Sequence, residues 1–145
     1  MRPHATTPQF ETGAWLLRGI DTLSGTLLLV EGRLRFTAEG CGSLGTSQLA
    51  SLARDSGNAG LAKALTKGGT AVVFDAPLGE IDVRFPWYYF MGGCKVRVAG
   101  HRHRLSFGQP PNGGGGTPGD AWDSLAEVRA MRKVGKALQD ALQRP

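Results

Sequence analysis

Two-residue alternation, with cations on the polar side, recurs along this chain and confines much of it to short β-strands. In the stretch Gly25 to Phe36, Leu34 and Phe36 face one way and Arg33 and Arg35 the other. In the stretch Phe74 to Phe85, Ile81, Val83 and Phe85 oppose Glu80, Asp82 and Arg84. The third instance is Cys94-Lys95-Val96-Arg97-Val98, a tight Ala99-Gly100 turn, then Arg102-His103-Arg104-Leu105-Ser106-Phe107. A period of two sends alternate side chains to opposite faces of a sheet. Each stretch therefore buries one face and wets the other, the habit of antiparallel sheets.

The remaining strands and turns follow from the punctuation between these stretches. Ala14 to Ile20 reads as a first strand, Asp21 to Gly25 as a turn, and Thr26 to Glu31 as a second strand closed by Glu31-Gly32. Thr70 to Phe74 is another strand, and Pro77 bars a central ladder position there, so this stretch is bent or at an edge. With 22 glycines the chain has turns enough for many short strands.

The period changes in two places. Leu49, Leu52 and Ala53, then Leu61, Ala62 and Leu65, stand at helical spacing, with Gly57-Asn58-Ala59-Gly60 breaking the segment into two short helices. From Asp120 to about Gln143 a longer helix is expected, with Asp123 and Glu127 in its early turns, where carboxylates suit the dipole. Arg129, Arg132, Lys133 and Lys136 form one basic stripe on it, roughly opposite Met131, Val134, Leu138 and Leu142. Residues 1–12 are polar, with two prolines, and read as a disordered lead-in. Asn112 to Gly119 is a flexible glycine-rich loop between the last strand and the helix. The 145 residues make one domain, 13–143, with a helical insertion over 39–70 and a loop over 111–119.

Strands, a helical insertion, more strands and one C-terminal helix with an early Trp122 make an order that resembles the pleckstrin-homology-like superfold, in its GRAM-type branch. Three places carry the resemblance: Gly25 to Thr37 looks like the opening hairpin, Phe74 to Ile81 like the central strand pair, and Val96 to Phe107 like the last hairpin. The chain departs from the pattern in the insertion over 39–70. The resemblance implies an α+β fold: a bent, antiparallel seven-stranded β-barrel or sandwich, capped at one end by the C-terminal α-helix. It also implies a non-enzymatic binding module whose ligands are phosphoinositides, other anionic lipids or peptides. The family's phosphoinositide site needs several cations around the first hairpin loop, and here Asp21-Thr22-Leu23-Ser24 has only Arg18 nearby.

Charge distribution narrows the partner. The net charge is +5. Between Arg84 and Gly119 there is no acidic residue, yet Arg84, Lys95, Arg97, Arg102 and Arg104 all fall there. Lys95, Arg97, Arg102 and Arg104 share one parity, opposite Val96, Val98, Leu105 and Phe107, and cross-strand neighbours on one face lie about 5 Å apart. These four are the candidate site for anionic lipid headgroups or an acidic protein surface. Arg33 and Arg35 extend that patch only if their part of the sheet faces the same side.

Other motifs are weaker. Gly40-Cys41-Gly42-Ser43-Leu44-Gly45 matches the glycine-rich dinucleotide fingerprint literally. The strand before it carries Arg35 and Glu39, however, whereas a dinucleotide-binding first strand is buried on both faces. Asp75 also lies well past the expected spacing of about 20 residues. His101 and His103 share a strand face, which two metal ligands could use, but no third histidine is near in sequence. Two cysteines, Cys41 and Cys94, are too few for a disulfide framework or a cysteine-based zinc site, and whether they pair is left open. Pro86-Trp87-Tyr88-Tyr89-Phe90-Met91-Gly92-Gly93 is an aromatic run suited to the barrel core, a membrane interface or base stacking.

No nucleophile elbow, zinc-protease motif or phosphate-loop lysine is present, so neither catalysis nor a cofactor is expected. Nucleic acid has no strong signature here. The N-terminus has no apolar core of a signal peptide, and the longest aliphatic run, Leu27 to Val30, is too short to span a bilayer. The expectation is a cytoplasmic protein with any membrane contact peripheral, on the cytoplasmic side. The alternative is a protein-interaction or oligomerisation module that uses the C-terminal helix or the aromatic run. A dinucleotide-binding enzyme acting through Gly40–Gly45 comes third.

Overall fold

The computed structural model describes residues 8–19, 21–86, 92–108 and 120–143, with side chains of the last segment from Arg129 onward. Seven strands form one antiparallel sheet: β1 (Phe10–Arg18), β2 (Asp21–Val30), β3 (Arg33–Glu39), β4 (Thr70–Pro77), β5 (Ile81–Arg84), β6 (Gly93–Val98) and β7 (His101–Ser106). Three helices complete the α+β fold: α1 (Thr46–Ser56), α2 (Leu61–Thr66) and α3 (Asp120–Gln143). The strand order is β4-β3-β2-β1-β7-β6-β5, so β4 and β5 are the two edges and the sheet is not closed.

The structure departs from the sequence reading in three main places. β2 begins at Asp21 rather than Thr26, because Asp21 to Gly25, expected as a turn, pair with Arg18 to Ala14 of β1. β1 begins at Phe10 rather than Ala14, because Phe10, Glu11 and Thr12 pair with Leu29, Leu28 and Leu27. The ladder to a long β2 thus recruits the end of the segment that its polarity assigns to the lead-in. β4 and β5 do not form the strand pair expected from Phe74 to Ile81. Pro77 ends β4, a 3₁₀ turn over Leu78–Glu80 redirects the chain, and β5 pairs with β6. Pro77, which has no amide to donate, does lie on an edge strand.

The core lies on the inner face of the sheet. Leu16, Leu27, Leu29, Leu34 and Phe36 are fully buried there, and the alternation anticipated for β3 is the alternation found. The insertion is part of this core: Leu49 and Leu52 of α1 and Leu61 and Leu65 of α2 are buried with the strand residues. Each such leucine contributes about 1.5–3 kcal/mol through its transfer out of water. Gly57, in the left-handed conformation at the end of α1, breaks the insertion into the two helices expected. Leu138 and Ala141 of α3 close the core against the sheet, while Arg129, Arg132, Lys133 and Lys136 are all exposed. Met131, Val134 and Leu142 pack partly buried at the core's margin, as their spacing implies.

Among the described helices none is long and apolar enough to cross a membrane. Cys41 and Cys94 are both free thiols, and burial pushes the Cys94 thiol up to about 12. The aromatic run from Trp87 to Met91, the loop over 111–119, the side chain of Trp122 and residues 1–7 lie outside the described residues.

Candidate functional site

The β6–β7 hairpin is built as its sequence implies. Ala99 and Gly100 both take positive φ, 52° and 84°, the backbone of a two-residue turn that matches strand twist. That turn fixes the register: Lys95 opposes Arg104, Arg97 opposes Arg102, and Val96 opposes His103. All four candidate residues therefore share the outer face.

The adjoining strands enlarge this array. In β5, Arg84 pairs in register with Lys95 and Asp82 with Arg97. In β1, Leu17 pairs with Arg104. One row thus runs Arg84, Lys95, Arg104, Leu17 and the next runs Asp82, Arg97, Arg102. Five cations and one carboxylate occupy neighbouring positions on three strands. Asp82 accepts from the guanidinium two residues along its own strand, Arg84 Nε at 3.0 Å. Sequence parity gave the four cations of the hairpin; it could not add Arg84 and Asp82, whose register depends on the long excursion from β5 to β6.

Hollows flank the array. One of about 410 Å³ is bounded by Asp82, Arg84, Phe85, Pro86, Lys95, Arg97 and Arg102. Another of about 470 Å³ lies where α1 meets the sheet, bounded by Arg18, Ser47, Ser51, Lys95, Arg102 and Arg104, among others. Arg18 reaches it from the end of β1, donating to Asp55 Oδ2 at 3.1 Å and to Ser51 Oγ at 2.7 Å. Gln48 ties the same corner by donating to Asp21 Oδ2 at 2.9 Å.

Arg33 and Arg35 do not extend the patch. Both donate to Asp75 of β4 at 3.1 Å, so one carboxylate holds two guanidinium groups on the far arm of the sheet. The pairing spans 42 and 40 residues of chain, offsets one of the two positive charges, and is invisible to local charge counting.

The two histidines, though of one parity, part company. His101 is at the rim, its Nδ1 3.5 Å from Asp55 Oδ1. His103 is 2% exposed, and its ring centroid lies 5.3 Å from that of Phe74. Burial, reinforced by Arg18, lowers its pKa to about 4. It is a neutral core residue at physiological pH, and its Nδ1 has no hydrogen-bond partner among the described residues. Among the described residues no group of three or more His, Cys, Asp or Glu comes together.

In the Gly40–Gly45 loop four of the six amides are engaged by the protein's own acceptors. Gly40 N donates to Gly69 O, Ser43 N to Thr22 O, Leu44 N to Cys41 O and Gly45 N to Gln48 Oε1. A pyrophosphate cradle needs such amides pointing at the ligand. Gly42 has φ of 55°, and a side chain there would strike Thr22 and Leu23 of β2. Close backbone packing explains this glycine. The chain matches no family model, and no curated protein or solved structure matches it.

Proposed function

We propose that this chain is a non-enzymatic binding module of the pleckstrin-homology-like, GRAM type that docks on anionic lipid headgroups through the outer face of β5, β6 and β7. The observation that carries the reading is the array itself: Arg84, Lys95, Arg97, Arg102 and Arg104 on adjacent strands, with Asp82 the one carboxylate in register with them among the described residues. Like charges directly opposite one another cost stability, and an anionic surface relieves that cost. Near a membrane of acidic lipids each Lys or Arg contributes about 1 kcal/mol, which makes such a face a peripheral anchor for the cytoplasmic leaflet. Seven antiparallel strands with a C-terminal helix packed on the core support the superfold reading; the sheet is open rather than closed into the expected barrel, and its bend belongs to the same proposal.

Headgroups suit this face better than self-association through α3. The exposed face of that helix bears Arg129, Arg132, Lys133 and Lys136, which repel a second copy. Vesicle co-sedimentation tests the proposal. Vesicles with phosphatidylserine should retain the protein and neutral phosphatidylcholine vesicles should not; equal retention by both defeats it. Retention by neither, together with capture by an acidic polypeptide such as polyglutamate, moves the face to a protein partner.

A further inference from the structure

The outer face of the sheet carries an aromatic residue beside the cations. Ala14 and Leu16 of β1 are buried in the core, so Trp15 and Leu17 lie on the opposite face, the face of the basic array. Trp15 pairs in register with Ser24 of β2 and with Ser106 of β7. Gly13, two residues back on the same face, has open space where a side chain would stand. The indole is thus set among small residues. It is half-buried yet belongs to neither the core nor its margin. Among the described residues it stacks on no other ring, and its N–H has no hydrogen-bond partner. A tryptophan that serves only to pack a fold usually satisfies that N–H.

We infer that this face is a binding surface for single-stranded nucleic acid, with a base stacked on Trp15 and phosphates held by the neighbouring cations. Arg104, Lys95 and Arg84 occupy the row next to Trp15, and Arg102 and Arg97 the row after that, each step about 6.6 Å along the strands. Successive phosphates of an extended single strand are spaced similarly. Cations that track a backbone beside an aromatic plane bind single strands with little regard to sequence, because every base has a π-face. The hollow of about 410 Å³ at the far side adds an acceptor: its Asp82 repels a phosphate but accepts from the exocyclic amino group of a base. Trp15 and that hollow lie three strands and two rows apart, about 20 Å along the sheet, the reach of about three to four nucleotides. Headgroups or sulfated polymers bring charge alone and leave Trp15 and Asp82 without a role. The inference shares its cations with the proposed headgroup-docking face but does not depend on a lipid ligand. No motif in the sequence announces it, because the juxtaposition arises from β1 lying beside β7.

Fluorescence anisotropy with two labelled strands of equal length and charge separates stacking from charge: an oligodeoxycytidylate of about eight nucleotides, and the same deoxyribose-phosphate chain without bases. The wild-type protein should bind the oligodeoxycytidylate at least about fivefold more tightly, the equivalent of one stacked base. Equal binding of the two strands overturns the inference and leaves headgroup docking standing.

Trp15→Thr removes the ring and keeps a good strand former on the outer face. It should abolish the preference for bases. With every cation in place, it should leave binding of the abasic strand and retention by phosphatidylserine vesicles within about twofold. Trp15→Phe keeps an aromatic plane and should keep the preference. A preference that survives Trp15→Thr overturns the stacking site. A preference lost with Trp15→Thr, in a protein that phosphatidylserine vesicles do not retain, upholds this inference and overturns the headgroup reading. The wild-type comparison decides whether bases are read even if Trp15→Thr does not fold.

Discussion

Arg97 and Arg102 stand opposite one another across the β6–β7 hairpin, so two guanidinium groups rise side by side from one face. Such a pair is unfavourable by about 0.2–1 kcal/mol in the absence of a counter-ion. Arg102→Thr should therefore stabilise the protein by an amount in that range at low salt, and the gain should shrink as salt screens the pair. Urea unfolding at two ionic strengths measures it; a loss of stability at low salt would show that Arg102 has a favourable role in the fold.

His103 makes stability depend on acid. Its folded pKa of about 4 lies below the ordinary 6.5, so as pH falls the unfolded chain takes up the proton first. Stability contributed by the neutral ring is complete above about pH 6.5, is lost progressively down to about pH 4, and levels off below that, a total near 3 kcal/mol. His103→Leu should flatten the stability profile across that window. An unchanged slope assigns the acid sensitivity elsewhere.

Gly42 tests the glycine-rich loop. With φ at 55° and β2 against its Cα, Gly42→Val should destabilise by about 1–3 kcal/mol. Vesicle binding by the folded fraction should be unchanged. A variant of full stability that has lost saturable dinucleotide binding would restore the nucleotide reading.

The insertion after β3 is core, not ornament. Leu52 of α1 is fully buried among strand side chains, and Leu52→Ala should cost about 2–5 kcal/mol. Thermal unfolding of the variant checks this; a loss under about 1 kcal/mol would mean that α1 is only loosely attached.

What could be read from the chain followed the range of the interactions. Period-two alternation placed β3, β5, β6 and β7, and helical spacing with Gly57 placed α1 and α2, because these signals are local. The four hairpin cations were legible for the same reason: a two-residue turn fixes its own register. The start of β1 was missed because Phe10 is held by Leu29, a pairing its polar neighbours do not announce. The clamp of Asp75 on Arg33 and Arg35, and the union of Arg18 with Lys95, Arg102 and Arg104 around one hollow, depend on strand order. His103 shows the limit of parity alone. It shares a face with His101, yet the end of the hairpin leaves one at the rim while the other sits against Phe74.

Co-sedimentation of the wild-type protein and Arg97→Glu/Arg102→Glu with phosphatidylserine vesicles, over a range of salt, probes the docking face most directly. The wild type should bind with an affinity that falls steeply as salt rises, and the double variant at least about tenfold more weakly at low salt, at about 1 kcal/mol per cation. Binding that is indifferent to salt, and equal in the two proteins, would show that the β5–β6–β7 face does not hold the membrane.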